Sequence, residues 1–257
     1  MTRQHLNFDC EGAALAATID QGTASAGLLI VTGGNELRAG AWNGQAQLAA
    51  RIASAGFPAF RFDRRGIGDS EGPAGDFRSS APDIAAALAA FRAACPQVAR
   101  IVALGNCDAA SALMLTGGAG CSALVLANPW TIEDEAAAPP PEVLRGHYAK
   151  RIADPAALKR LLTGRVSLGG LFRSLLAALR PPPPPTGLAQ DMVAGLAQFP
   201  GPVKILIAGR DRTAQAFLAA WTKDDPRLRR CEEASHSFVE AEARVWLEAQ
   251  VLEVLRG

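Results

Sequence analysis

The chain has 257 residues, 49% of them hydrophobic, and a formal net charge of +1. That length and composition support one sizeable α/β domain, or one such domain with an insertion. The near-zero charge argues against general nucleic-acid binding, and the absence of an apolar run of about 18 residues predicts no membrane span. Met1 to Asp9 carries no apolar signal-peptide core. The five cysteines are Cys10, Cys95, Cys107, Cys121 and Cys231. They are odd in number and contain no C-x-x-C pair, so neither a zinc site nor a disulfide framework is expected, and the pattern fits a reducing cytoplasm. Any imidazole chemistry must use His5, His147 or His236.

In chain order, residues 4–10 and 13–19 alternate around Glu11-Gly12 as a β-hairpin does. Gly27–Val31 is a continuous apolar run and reads as a central parallel strand, with Thr32-Gly33-Gly34-Asn35 at its carboxyl end. Helical periodicity covers Trp42 to Ala55 and stops at Gly56. Pro58–Phe62 is the next strand and runs into the glycine-rich loop Asp63–Gly72. A helix is predicted over Ser79–Ala94, with Pro82 and Asp83 near its first turn. Ile101–Leu104 reads as a buried strand, followed by Gly105-Asn106-Cys107-Asp108-Ala109 and an Ala/Leu-rich helix to about Gly117. Ala123–Ala127 is another strand, with Asn128-Pro129-Trp130 as its exit.

The alternation stops over residues 131–199, which read as an inserted helical cap, with stiff extended connectors at Pro139–Pro141 and Pro181–Pro185. Residues 1–130 and 200–257 form the core. Between Arg145 and Arg180 the cap carries Arg145, Lys150, Arg151, Lys159, Arg160, Arg165, Arg173 and Arg180 against the single acid Asp154. This is either a solvated helical face or a positive rim that attracts an anionic acyl donor, such as a carrier-bound thioester. His147 lies here as a surface residue or a substrate contact. A strand over 203–208 ends in Gly209-Arg210-Asp211, and a helix follows at about 213–221. Arg227–Cys231 is a last short strand, and the loop 232–237 contains His236. A closing helix is predicted over Phe238–Arg256, with Phe238, Val245, Trp246, Ala249 and Leu252 as its buried stripe.

The chemistry concentrates at the carboxyl ends of strands, where open α/β sheets place reactive groups. Cys107 follows one strand in a turn that needs small residues two before and two after it, and Gly105 and Ala109 supply them. The turn would lift the thiol to the positive end of the following helix, which favours thiolate. The alternative is a buried packing cysteine. Asp211 is either the carboxylate that orients an imidazole or a helix N-cap. His236 is either the base or an ordinary loop residue. The three types together suit acyl chemistry: a thiolate attacks a carbonyl, an imidazole moves the proton, and a carboxylate steadies the imidazolium. Backbone N–H groups of Gly34, Asn35 and Asp108 are the candidate oxyanion donors. Trp130 is a candidate substrate contact, and Glu133 and Asp134 are reserve acids for the triad. No metal-ligand cluster and no cofactor motif is visible, since Gly66-Ile67-Gly68 lacks the spacing of a phosphate loop.

Four segments resemble the α/β-hydrolase superfamily. They are Asp63–Ser70, similar to its D-x-R-G-x-G-x-S loop; Gly105–Ala109, similar to its nucleophile elbow; Gly209–Asp211, its acid loop; and Ala234–Phe238, its histidine loop. The resemblance implies a mostly parallel sheet flanked by helices, with the order nucleophile, acid, base. The elbow departs from the usual pattern, with cysteine for serine and Ala109 for glycine. Dienelactone hydrolases use a Cys-His-Asp set on the same fold, so cysteine is compatible with hydrolysis. Thr32–Asn35, the run Gly-x-Cys-Asp-x-x-Ser ending at Ser111, and Asn128–Trp130 also resemble the exosortase A system-associated hydrolases of the first type. Those are bacterial proteins encoded with exopolysaccharide and protein-sorting machinery. The expected activity is ester or thioester hydrolysis through an acyl-cysteine. The alternatives are acyl transfer to an amine or hydroxyl, and a non-catalytic scaffold. The sequence leaves the oligomeric state open.

Overall fold

The computed structural model describes residues 2–133, 187–222 and 224–257. An eight-stranded sheet organises them, in the order β1-β2-β4-β3-β5-β6-β7-β8. The strands are β1 (Arg3–Cys10), β2 (Ala13–Asp20), β3 (Ala26–Val31), β4 (Ala59–Phe62), β5 (Arg100–Asn106), β6 (Ala123–Ala127), β7 (Val203–Ala208) and β8 (Leu228–Cys231). β1 and β2 pair antiparallel, β2 joins β4 antiparallel, and every later pairing is parallel. The β1–β2 hairpin turns on Glu11 (φ 53°) and Gly12 (φ 85°), both left-handed, which is what a two-residue turn of primed type demands.

β3, β6 and the middle of β5 are apolar because both faces are covered. Their side chains alternate between two layers. Leu29, Val31, Ile101 and Ala103 pack with α2 (Ala81–Ala94), α3 (Asp108–Leu115), α4 (Gly187–Ala197) and α5 (Arg212–Ala220). Leu28, Ile30, Val102 and Leu104 pack with α1 (Gly44–Ser54) and α6 (Ala241–Arg256). Among the described residues no helix is long and apolar enough to cross a membrane.

Three predicted helix starts shift. Trp42 (φ 48°) and Asn43 (φ 62°) are left-handed, so the first regular helix begins at Gly44. Ser79 belongs to a separate 3-10 turn, its N–H donating to the Asp76 side chain at 3.1 Å, and α2 begins at Ala81 with Pro82 in its first turn. Phe238 adopts φ 51° and closes the histidine loop, so the last helix begins at Ala241. Of the expected stripe, Phe238, Trp246 and Leu252 pack with the core and two positions do not. Val245 is 69% exposed and Ala249 is exposed, whereas Ala243, Val251, Val254 and Leu255 are buried. Of the range expected to form a cap, residues 134–186, which include His147 and the basic run, lie outside the described residues. α4, at the end of that range, puts Leu188, Met192 and Leu196 into the core beside α3.

The loop after β4 is a structural fastening. Asp63, fully buried, accepts hydrogen bonds from the Arg38 and Asp69 backbone N–H groups and pairs with the Arg38 guanidinium. Ser70 donates to the Asp63 carbonyl at 2.7 Å and accepts from Ala16 N–H at 2.9 Å, which ties the loop to β2. Arg65 pairs with Asp83 of α2 at 2.5 Å. Arg64, also buried, turns the other way and donates to the carbonyl of Gly34, so this loop supports the glycine loop after β3.

Candidate active site

β5 ends in a sharp reversal. Cys107 has φ 62° and ψ −128°, and α3 starts at the next residue. A β-carbon on Gly105 would lie 2.7 Å from the backbone of Ala109 and Ala110, so only glycine lets strand and helix come this close. The thiol therefore stands above the sheet, partly exposed, at the head of α3. The elbow backbone is fastened by Cys107 N–H to the Ala127 carbonyl at 2.9 Å and by Trp130 N–H to the Cys107 carbonyl at 3.3 Å. Ser111, one turn into α3, both donates to the Trp130 carbonyl and accepts from its N–H, each at 2.8 Å.

Asp211 ends β7 and heads α5. Its carboxylate accepts from Thr213 N–H at 3.2 Å and Ala214 N–H at 3.0 Å, so it is an N-cap. The same carboxylate also meets His236 Nδ1 at 2.9 Å. The one carboxylate thus makes both contacts at once, capping α5 and meeting the imidazole. The imidazole and the Cys107 thiol line the same cleft. The Asp211 contact first, and then Cys107, push the His236 pKa up to about 10 against the opposing effect of burial. His236 is therefore held as imidazolium at neutral pH.

Two asparagines hold the histidine loop. Asn128, fully buried at φ 45°, donates from Nδ2 to the His236 carbonyl at 3.0 Å and to Asn106 Oδ1 at 3.1 Å. Its Oδ1 accepts from Ala208 N–H at 2.8 Å. Asn106 adds a second donor to the His236 carbonyl at 3.3 Å. The ends of β5, β6 and β7 are thereby bound to the segment that carries the imidazole. The sequence reading missed both. Their position immediately after apolar strands, where the core runs out of backbone partners, was the available signal.

A cleft of about 460 Å³ opens over Cys107 and His236. Its described walls include Gly34, Asn35, Asp108 and Trp130, as the sequence suggested, and also Glu36, Phe77 and Ser237, which it did not single out. Burial raises the Glu36 pKa, while the carboxylate accepts from Ala41 N–H and the Gln45 amide, each at 2.6 Å. One expected oxyanion donor is already engaged: Gly34 N–H points at the side chain of Asp108, 2.8 Å from each carboxylate oxygen. The reserve acid Glu133 serves elsewhere, accepting from Leu188 N–H at 3.1 Å at the start of α4 and pairing with Arg78 at 3.3 Å. Asp134 lies outside the described residues. His5 is occupied on the hairpin, 3.0 Å from the Thr18 hydroxyl. Among the described residues no group of three or more His, Cys, Asp or Glu side chains could hold a metal ion.

Residues 28–249 match the model of the alpha/beta hydrolase family. The chain belongs to that family. Solved structures agree on the fold of this alpha/beta hydrolase. An alpha/beta hydrolase, GrgF, from Penicillium sp. sh18 superposes with a TM-score of 0.68 at 16% identity, covering 100% of this chain and 98% of that one. The esterase Pf2001 from Pyrococcus furiosus gives 0.61 at 16% identity, covering 99% and 90%. A proline iminopeptidase from Mycobacterium smegmatis gives 0.58 at 15% identity, covering 98% of each chain. No curated protein matches the chain by sequence.

Proposed function

We propose that this alpha/beta hydrolase cleaves acyl esters or thioesters through an acyl-cysteine formed on Cys107. The observation that carries the reading is the position of the His236 imidazole. It is fixed by Asp211 at 2.9 Å and shares an open cleft with Cys107, whose proximity helps to raise the imidazole pKa. An imidazolium beside a thiol favours the thiolate–imidazolium pair, the reactive form of a cysteine nucleophile.

In the proposed reaction the Cys107 thiolate attacks the carbonyl carbon, and the carbonyl π pair moves onto oxygen. Backbone N–H groups at the head of α3 and in the loop 33–35 are the donors to that oxygen. The intermediate collapses, the bond to the leaving oxygen or sulfur breaks, and His236 gives the leaving group its proton. Neutral His236 then removes a proton from water as the water attacks the acyl-cysteine. Collapse expels the thiolate, releases the carboxylic acid and restores the imidazolium. Asp211 keeps its proton count throughout and stabilises the imidazolium.

The likeness of the elbow and of Asn128–Trp130 to the exosortase A system-associated hydrolases supports a setting beside bacterial exopolysaccharide and protein-sorting systems. Five free thiols suit the cytoplasm for that role.

Intact-mass spectrometry with a panel of activated acyl donors tests the reading. An adduct on the wild type that is lost in Cys107→Ala and persists unhydrolysed in His236→Ala is the expected result. Adducts that leave to added amines or alcohols rather than to water would redirect the proposal to acyl transfer. Failure of every donor to acylate Cys107 would leave a non-catalytic scaffold.

A further inference from the structure

Asp108 is a strange neighbour for an acyl-transfer nucleophile. Its carboxylate folds back from the head of α3 and sits across Gly34 N–H, 2.8 Å from each oxygen. The fit is close: a β-carbon on Gly33 would lie 2.2 Å from Asp108 Oδ1. If Cys107 attacks a carbonyl, the carbonyl oxygen becomes negative beside this loop. A carboxylate there takes the donor and also repels the developing charge.

A neutral acyl group offers nothing to draw that carboxylate away. A cation next to the carbonyl does. The cleft is built for one. Its other charged wall groups are Glu36 and His236, its aromatic walls are Phe77 and Trp130, and among the described residues no Lys or Arg lines it. Carboxylates and ring faces both attract ammonium groups. Arg64 reaches the Gly34 carbonyl but is itself buried and does not line the cleft.

We propose that Asp108 selects acyl groups bearing a protonated amine beside the reacting carbonyl. The ammonium takes the carboxylate, Gly34 N–H is released, and the carbonyl oxygen occupies the freed donor. Substrate binding thus completes the oxyanion site only for the cationic class. This deepens the acyl-cysteine reading and rests on it.

Two measurements separate the two ideas. The first compares alanyl and propionyl S-benzyl thioesters, which differ in one ammonium. The wild type favours the alanyl compound at least tenfold in kcat/KM. Asp108→Asn, which keeps the shape and removes the charge, brings the ratio within about threefold, and Asp108→Ala, which bares Gly34 N–H, raises turnover of the propionyl compound. Equal turnover of the two compounds by the wild type would overturn the proposal, as would an equal loss for both in Asp108→Asn.

The second measurement needs no acyl chemistry. Cys107 thiolate attacks the sulfenyl sulfur of a methanethiosulfonate, forming a mixed disulfide and releasing methanesulfinate. The rates with trimethylammonioethyl and sulfonatoethyl reagents are compared by peptide mass, each relative to a small free thiol. The cationic reagent is favoured about tenfold in the wild type and much less in Asp108→Asn. No charge preference would refute the cation site whatever the thioesters do. A clear preference with no acylation of Cys107 would retire the hydrolase reading and keep Asp108 as the cation-binding group of the cleft.

Discussion

Asn128→Ala isolates the asparagine clamp. The substitution leaves Ala208 N–H, which now donates to Asn128 Oδ1 at 2.8 Å, without an acceptor in a fully buried place. An orphaned buried donor costs about 1–3 kcal/mol. The His236 carbonyl keeps Asn106 at 3.3 Å but loses Asn128 at 3.0 Å, a net loss of about 1 kcal/mol for one hydrogen bond. Position 128 has φ 45°, and alanine is strained there by about another 1 kcal/mol where asparagine is tolerated. The sum is about 4 kcal/mol. Asn128→Gly removes the same hydrogen bonds without the backbone strain and is expected to cost about 1 kcal/mol less. Urea unfolding at pH 7, followed by far-ultraviolet circular dichroism, reads both. With a slope of about 3 kcal/mol per molar, the alanine variant unfolds about 1.3 M earlier than the wild type. An alanine variant within about 0.5 kcal/mol of wild type, or a glycine variant less stable than alanine, would refute the reasoning.

The raised pKa of His236, about 10, makes a pH prediction whose sign is set by the imidazolium being the form favoured on folding. Its contribution to stability is complete below the unfolded value of about 6.5 and is lost as pH rises through the folded value. Asp211→Asn removes the largest cause, so an NMR titration should find His236 moving back toward about 6.5. Gly105→Ala forces a methyl to within 2.7 Å of the Ala109 and Ala110 backbone and should lower stability by several kcal/mol, read as an earlier thermal midpoint. Burial pushes the Cys121 thiol up to about 12 and Cys10 up to about 11, and also raises Cys95 and Cys231. Iodoacetamide at pH 8 is therefore expected to alkylate Cys107 before the other four, and peptide mass mapping that finds all five modified together would contradict this.

Much of the architecture could be read along the chain because parallel strands buried on both faces are continuous apolar runs. β3, β6, the middle of β5 and Ile205–Ala208 of β7 are such runs, and the small-residue turn at Gly105–Ala109 marks one strand end as special. The order Cys107, Asp211, His236 followed from asking which polar residues stand at those ends. What stayed hidden depends on contacts between distant segments. Nothing near Gly34 announces that Asp108 will take its N–H, 74 residues along the chain. Asn106 and Asn128 look like ordinary strand exits until the carbonyl of His236 arrives between them. Glu133 looked as available as any acid, but the start of α4 claims it. Phe238 fits helical periodicity, yet its left-handed backbone makes it the end of a loop, and of the stripe assigned with it Val245 and Ala249 face outward while Trp246 and Leu252 still pack on the core. Periodicity senses which residues are apolar and is blind to where a backbone changes hand.

The dihedral angles at Cys107, φ 62° and ψ −128°, bear on the history of the chain as well as its chemistry. Glycine occupies that region freely and cysteine does not, so drift without selection on the side chain has a downhill route: Cys107→Gly would relax the turn and raise stability while abolishing any thiol chemistry. A lineage that had stopped using the thiol would gain by taking that route, since natural sequences hover near the stability they need. The strained residue at 107 is thus a standing debit, one that the proposed use of its side chain would explain.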